Sequence, residues 1–359
     1  MSKVKELYEK GKFPRERSKL SMWDAMYALG EYYQHVLAGK TPGRVEELIP
    51  GELRKVEIDG LGFRLVSAFL SHEVNMAKTQ RVLSDYSRDD VQKTIDVLFQ
   101  TANLLVQGKG RFALIKQYSQ LKGVILPAYP LVGIIICAAK FVAKNYATQG
   151  KFILSRDDGK KIRRATEEIF RGYFLGKWKG SGDSRLKEWL DRHFREVDSF
   201  SSWPETIIEP FQSTYNSKEW QQVLRQLRET GERVVDRVSA CLLFWIQYLF
   251  KRLPSGEIDF DHIVPFDSAF RETSHPFNIA IVPRQINREK AERTFAEWSD
   301  RALERAVEEY KHYVMNDLGK NFLKHATTTG IHELLEKRRK LFERCFKERL
   351  PQWLDNGDA

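Results

Sequence analysis

Between residues 231 and 298 the apolar residues change their spacing twice, and few folds accommodate such a change. The stretch "GERVVDRVSACLLFWIQYLFKRL" (231–253) reads as one long helix, amphipathic at first and then wholly apolar. "EIDFDHI" (257–263) alternates as an extended strand does, and "NIAIVP" (278–283) is a second short apolar strand closed by proline. The intervening "DSAFRETSHPF" reads as a loop, after which "QINREKAERTFAEW" (285–298) resumes helical spacing. The order is therefore helix, strand, loop, strand, helix.

Around this unit the chain is helical. "MWDAMYALGEYYQHVLAG" (22–39) and "DVQKTIDVLFQTANLLVQG" (90–108), with Asp90 as its start, both carry a helical period. "VILPAYPLVGIIICAA" (124–139) reads as a buried helix behind a proline-marked entry, too short and too interrupted for a bilayer span. "GELRKVEIDGLGFRLV" (51–66) alternates better as a hairpin bent at Gly60 and Gly62. "FLGKWKGSGDSRLKEW" (174–189) reads as a surface loop, and "DSFSSWPET" (198–206) as another break. After residue 300, "RALERAVEEYKHYVMNDLG" and "IHELLEKRRKLFERCFKERLPQWL" alternate charge with apolar stripes, as helices packed on one face do. The expectation is a helical domain over 1–230, a two-strand and helix core over 231–300, and C-terminal helices over 301–359 packed on that core.

With 42% hydrophobic and 12% aromatic residues, a largely disordered chain is excluded. The formal charge of +10 favours an anionic partner, nucleic acid above all. The three cysteines, Cys137, Cys241 and Cys345, form no Cys-x-x-Cys, so a disulfide framework or zinc ribbon is not expected and a reducing cytoplasm is. The N-terminal "MSKVKELYEKGKFPRERSK" lacks an apolar core, so no secretory signal is expected.

The chemistry-bearing residues gather in the strand–strand–helix unit: Asp261, His262, Asn278, Asn287 and Lys290. A hard divalent cation takes oxygen ligands and needs few protein groups where phosphate oxygens complete its shell. Asp261 and Asn287 supply such oxygens. An imidazole at His262 can accept a proton from an attacking water near neutral pH. Lys290, one helical turn after Asn287, lies on the same face and reaches toward the same phosphate. Neighbours on a strand point to opposite faces, so Asp261 and His262 converge only where the strand ends or twists, and Pro265 favours an ending there. Taken singly, each residue has a plainer account: a half-buried His, a turn Asn, a solvated helix Lys. His275, inside the loop, reads more simply as a solvated histidine.

"DFDHIVP" followed by "NIAIVPRQINREK" resembles the HNH family of ββα-metal nucleases in its His-Asn-Asn form, and is similar to the HNH domain of RNA-guided CRISPR effector nucleases. With the apolar helix before it, the unit also resembles the C-terminal nuclease half of GmrSD-type modification-dependent restriction enzymes. The resemblance spans about residues 231–300. It implies a mainly α-helical protein with an embedded ββα-metal unit that cleaves DNA phosphodiesters with Mg²⁺ or Mn²⁺. By that resemblance His262 is the general base, Asp261 and Asn287 are metal ligands, and Asn278 braces the hairpin and holds the His. Lys290 approaches the scissile phosphate. The zinc-binding cysteine pairs of some family members are missing, as is the Asp-Gly-Gln-Gln-Arg type motif of the companion half of the restriction enzymes. A defence role implies DNA as substrate, no membrane, and a protein partner or a second copy of the chain as company. The rival expectation is a non-catalytic nucleic-acid-binding or complex-forming subunit that keeps the fold as scaffold.

Residues 151–195 hold thirteen Lys or Arg against seven Asp or Glu, an excess of six. Lys160, Lys161, Arg163, Arg164, Arg171, Lys177 and Lys179 are candidate phosphate contacts, and Trp178 a candidate base-stacking ring. A solvated helix face with local ion pairs to Glu167 and Glu168 accounts for the same residues equally well. Beside the hairpin unit, Arg284, Arg288 and Arg293 extend the positive surface.

Overall fold

The computed structural model describes residues 29–30, 58–107, 128–178, 182–194, 215–225, 237–254, 257–315, 323 and 326–357. They are mainly helical, with two short strands. They group into two compact units, one of the residues up to 215 together with 356 and 357, the other from 216 to 355. No helix among the described residues is long and apolar enough to cross a membrane.

In the first unit the helices are α1 (Ile58–Ser71), α2 (Met76–Ser84), α3 (Arg88–Gln107), α4 (Ala128–Gln149), α5 (Arg156–Phe174) and α6 (Gly182–His193). Helix α4 is apolar around most of its circumference, with Val132, Ile135, Ile136, Ala139 and Val142 at 0% exposure, and a helix of that kind belongs at the centre. It packs against α1, α3, α5 and α6. Ser87 caps α3: its Oγ accepts from the Asp90 N–H at 3.1 Å, which moves the helix start ahead of Asp90.

Two sequence expectations are corrected in this unit. Residues 58–71 form a helix and not the second half of a hairpin, because Leu61, Leu65, Ala68 and Phe69 share one face that the core buries, and tertiary burial overrides a short alternating pattern. Residues 182–193 are helical rather than loop, since Leu186, Trp189 and Leu190 bury an i, i+3, i+4 stripe. Of the expected helix over 22–39 only residues 29 and 30 are described, and they are helical. Residues 51–57 and 198–206 lie outside the described residues.

The second unit contains α7 (Ser217–Arg225), α8 (Arg237–Leu249), β1 (Ile258–His262), β2 (Ile279–Pro283), α9 (Arg284–Lys290), α10 (Phe295–Ser299), α11 (Glu304–Tyr313), α12 (Ile331–Arg344) and, after one π-helical turn at Cys345–Arg349, α13 (Leu350–Asn356). β1 and β2 pair antiparallel, with His262 opposite Ile279, Asp261 opposite Ala280 and Asp259 opposite Val282. The helix expected over 285–298 is broken after Lys290: Ala291 takes φ 50°, and Thr294 starts α10 with a capping box to Glu297. Residues from 301 onward share one core with the hairpin, in which Val264, Ala280, Val282 and Ile286 meet Phe295, Trp298, Tyr310, Val314, Ile331 and Leu334.

A two-stranded sheet leaves one edge of each strand unpaired, and a buried edge must find other partners. β2 finds them in side chains. Gln247 of α8 accepts from the Ile281 N–H at 2.7 Å and donates to the Ile281 carbonyl at 3.0 Å, replacing a third strand. Arg338 of α12 donates to the Ile279 carbonyl at 2.8 Å and to the Val314 carbonyl at 2.7 Å.

Candidate functional site

Strand alternation puts Asp259 and Asp261 on the same face of β1, and α9 lies across that face. The helix meets the two carboxylates turn by turn. Asn287 Nδ2 reaches Asp259 Oδ2 at 3.4 Å, and one turn on Lys290 Nζ donates to Asp261 Oδ1 at 3.2 Å. Lys290 also donates to the His262 carbonyl at 2.8 Å, so the helix end is tied to the last residue of the strand. The second oxygen of Asp261 accepts from the Tyr310 hydroxyl at 2.6 Å.

The two carboxylates differ in surroundings. Asp261 is 3% exposed, and burial pushes its carboxyl above the usual range while the Lys290 ammonium and the Tyr310 hydroxyl pull it back. Burial first, then the Asp261 charge, holds the Tyr310 phenol well above its ordinary value, so it stays a donor. Asp259 is 30% exposed and pairs with Arg284 Nε at 3.2 Å; the same guanidinium reaches Glu257 at 3.0 Å. Two carboxylates and one amide on a single face are donors that suit a hard divalent cation. No group of three or more His, Cys, Asp or Glu side chains arranged for a metal occurs among the described residues. A site that uses an amide and borrows phosphate oxygens does not need one.

His262 ends β1, half-buried, on the face opposite Asp259 and Asp261, with its ring 5.9 Å from that of Phe266 and edge-on to it. The turn after it is held by Asn278. That side chain accepts from the Val264 N–H at 2.9 Å and donates to the carbonyls of Val264 and Thr273, both at 2.8 Å, while its own carbonyl accepts from the Ile263 N–H. At 0% exposure Asn278 cannot touch a substrate, and its side chain braces the turn through Val264 and Thr273.

No protein-family model, curated protein or solved structure matches this chain.

Several sequence expectations change with these contacts. Lys290 is 0% exposed and committed to Asp261 and the His262 carbonyl, so it does not face a phosphate. Asp261 is brought to Lys290 and Tyr310 instead of to Asn287. His275 caps the short 3₁₀ turn Pro276–Asn278, its Nδ1 accepting from the Phe277 N–H at 3.1 Å. Arg288 and Arg293 are exposed on α9 and the turn after it, with Arg293 donating to the Glu289 carbonyl, whereas Arg284 is half-buried against Asp259 and Glu257.

In the first unit, Trp178 is 6% exposed and cannot stack on a base. Its indole packs so close to Gly172 that any Cβ there would meet Nε1 at 2.7 Å. Arg163 and Arg171 are buried, the latter donating to Glu167 at 2.8 Å, so part of the positive excess is internal. Lys161 pairs with Asp157 at 3.4 Å, Lys160 and Arg164 are half-buried, and Lys177 is exposed. Lys179 lies outside the described residues.

Asp259, Tyr310, Gln247 and Arg338 were missed from sequence. Alternation in "EIDFDH" carries the signal for Asp259. The other three act across 34 to 59 residues of chain and leave no local signal.

Proposed function

We propose that the second unit is an HNH-type, metal-dependent DNA endonuclease, and that the protein serves in restriction or defence against foreign DNA. The observation that carries this reading is the meeting of a helix amide, Asn287, with a partly exposed strand carboxylate, Asp259, at 3.4 Å on a hairpin that ends in His262. A Mg²⁺ or Mn²⁺ ion held by Asn287 and a hairpin carboxylate supplies charge stabilisation for the phosphate and the departing oxygen. The chain's own residues do the rest. In this reading His262, which ends β1 on the face opposite the carboxylates, takes on an imidazole nitrogen the proton of a water that attacks round the end of the strand. Asn278 keeps the following turn in place so that the ring stays at that strand end, and Arg284, Arg288 and Arg293 hold the backbone of the substrate.

One observation favours a second reading, a non-catalytic nucleic-acid-binding or complex-forming subunit: Lys290 and Asp261 are consumed in a buried network that a scaffold would keep. Incubating the full chain with supercoiled plasmid and Mg²⁺ or Mn²⁺ separates the two. The nuclease reading predicts open circles bearing 5′ phosphate and 3′ hydroxyl ends, lost on adding EDTA. Intact plasmid under every condition supports the scaffold, and preferential loss of added RNA would reassign the substrate.

A further inference from the structure

We infer that Asp259, and not Asp261, is the carboxylate that shares a divalent cation with Asn287; this rests on the nuclease reading above. The two residues stand about 7 Å apart along one strand face. Asp261 has both oxygens engaged, one by Lys290 Nζ at 3.2 Å and one by the Tyr310 hydroxyl at 2.6 Å. Turning it toward a metal would leave a fully buried ammonium and a buried phenol facing an apolar core. Asp259 is engaged too, its Oδ1 by Arg284 Nε at 3.2 Å and its Oδ2 by Asn287 Nδ2 at 3.4 Å, but at 30% and 27% side-chain exposure the carboxylate and the guanidinium can part without leaving a buried charge.

Asn287 points the same way. Its amide stands against Asp259 Oδ2, and the nitrogen and oxygen of an amide exchange places by a half-turn about its last bond. That half-turn sets a neutral oxygen beside a carboxylate oxygen, two hard donors open to water, which is the protein share of a shell that phosphate and water complete. The Arg284 guanidinium supplies positive charge at this spot, bridging Asp259 and Glu257. Were a cation held here, Arg284 would be free to turn to a phosphate, which a guanidinium fork suits.

Mn²⁺ titration of the full chain, followed by the electron paramagnetic resonance of the free ion, tests the assignment alongside thermal unfolding. Asp259→Asn and Asn287→Ala should each weaken binding at least about tenfold with little change in melting temperature. Asp261→Asn should melt earlier and, below its melting point, bind Mn²⁺ as the wild type does. Wild-type affinity in Asp259→Asn overturns the assignment alone; that side chain is partly exposed, so the variant folds and its result stands whether or not Asp261→Asn does. A wild-type chain that binds no Mn²⁺ overturns the nuclease reading, and the assignment with it.

Discussion

Among the described residues each unit buries one lysine, and the two are treated in opposite ways. Lys290 in the second unit has a carboxylate and a carbonyl as partners, with the Tyr310 ring 5.8 Å away. Lys140, on α4 of the first unit, is 2% exposed, and its ammonium nitrogen has no hydrogen-bond partner among the described residues. It has the Phe69 ring at 4.7 Å, and burial pulls its pKa down to about 7. His72 nearby is lowered to about 3, by burial first and then by the Lys140 charge. A compensated buried ion pair fixes neighbouring elements relative to one another; an uncompensated buried amine fixes nothing and charges the core a penalty whenever it is protonated. Lys290 therefore belongs to the scaffold that aligns β1, α9 and α11, whereas Lys140 is a cost carried by the first unit.

The comparison breaks most visibly if the two lysines are replaced by methionine. Lys290→Met strands the Asp261 carboxylate and should cost about 3–5 kcal/mol in urea unfolding, with the double change Lys290→Met, Asp261→Asn recovering part of it. Lys140→Met should act in the other direction, adding about 1–3 kcal/mol at pH 7 by removing an unsatisfied buried donor. The sign of its pH dependence sharpens the test. The folded pKa of Lys140, about 7, lies below its unfolded value of 10.5, so between these limits the unfolded chain binds the extra proton. The Lys140 contribution to stability should thus rise from pH 7 to about 10.5, by at most about 1.4 kcal/mol per unit, and level off above. Lys140→Met should flatten that slope. The smallest effect expected is that of Tyr310→Phe, which removes one hydrogen bond to a charged group and should cost about 1.5 kcal/mol in the same unfolding assay.

How much of this was legible in the sequence depends on the range of the interactions. The hairpin and α9 follow from the change of apolar period between "LLFWIQYLF", "EIDFDHI" and "NIAIVP", because each element buries its own stripe. The second half of the hairpin expected over 51–66 is a helix for the converse reason: over 58–66 local alternation is overruled by the core that buries Leu61, Leu65 and, further along the helix, Phe69. Lys290, one turn after Asn287, has the spacing of a phosphate contact, and only the arrival of Tyr310 from 20 residues further on closes the core over it. The choice between Asp259 and Asp261 follows the same rule. Alternation puts both on one face, but which one stays near water is decided by Lys290 and Tyr310. Trp178 read as a surface aromatic among lysines, and the missing side chain of Gly172 is what lets it fold inward.

The central claim, that the hairpin ending in His262 hydrolyses DNA, is tested most directly by the rate of plasmid nicking in saturating Mn²⁺ for the wild-type chain and for His262→Ala. The side chain is half-buried at a strand end, so the variant should fold. Removing a general base should slow nicking by about 10²–10⁴-fold while Mn²⁺ binding persists. Equal rates in the two proteins, or no nicking by either, would contradict it.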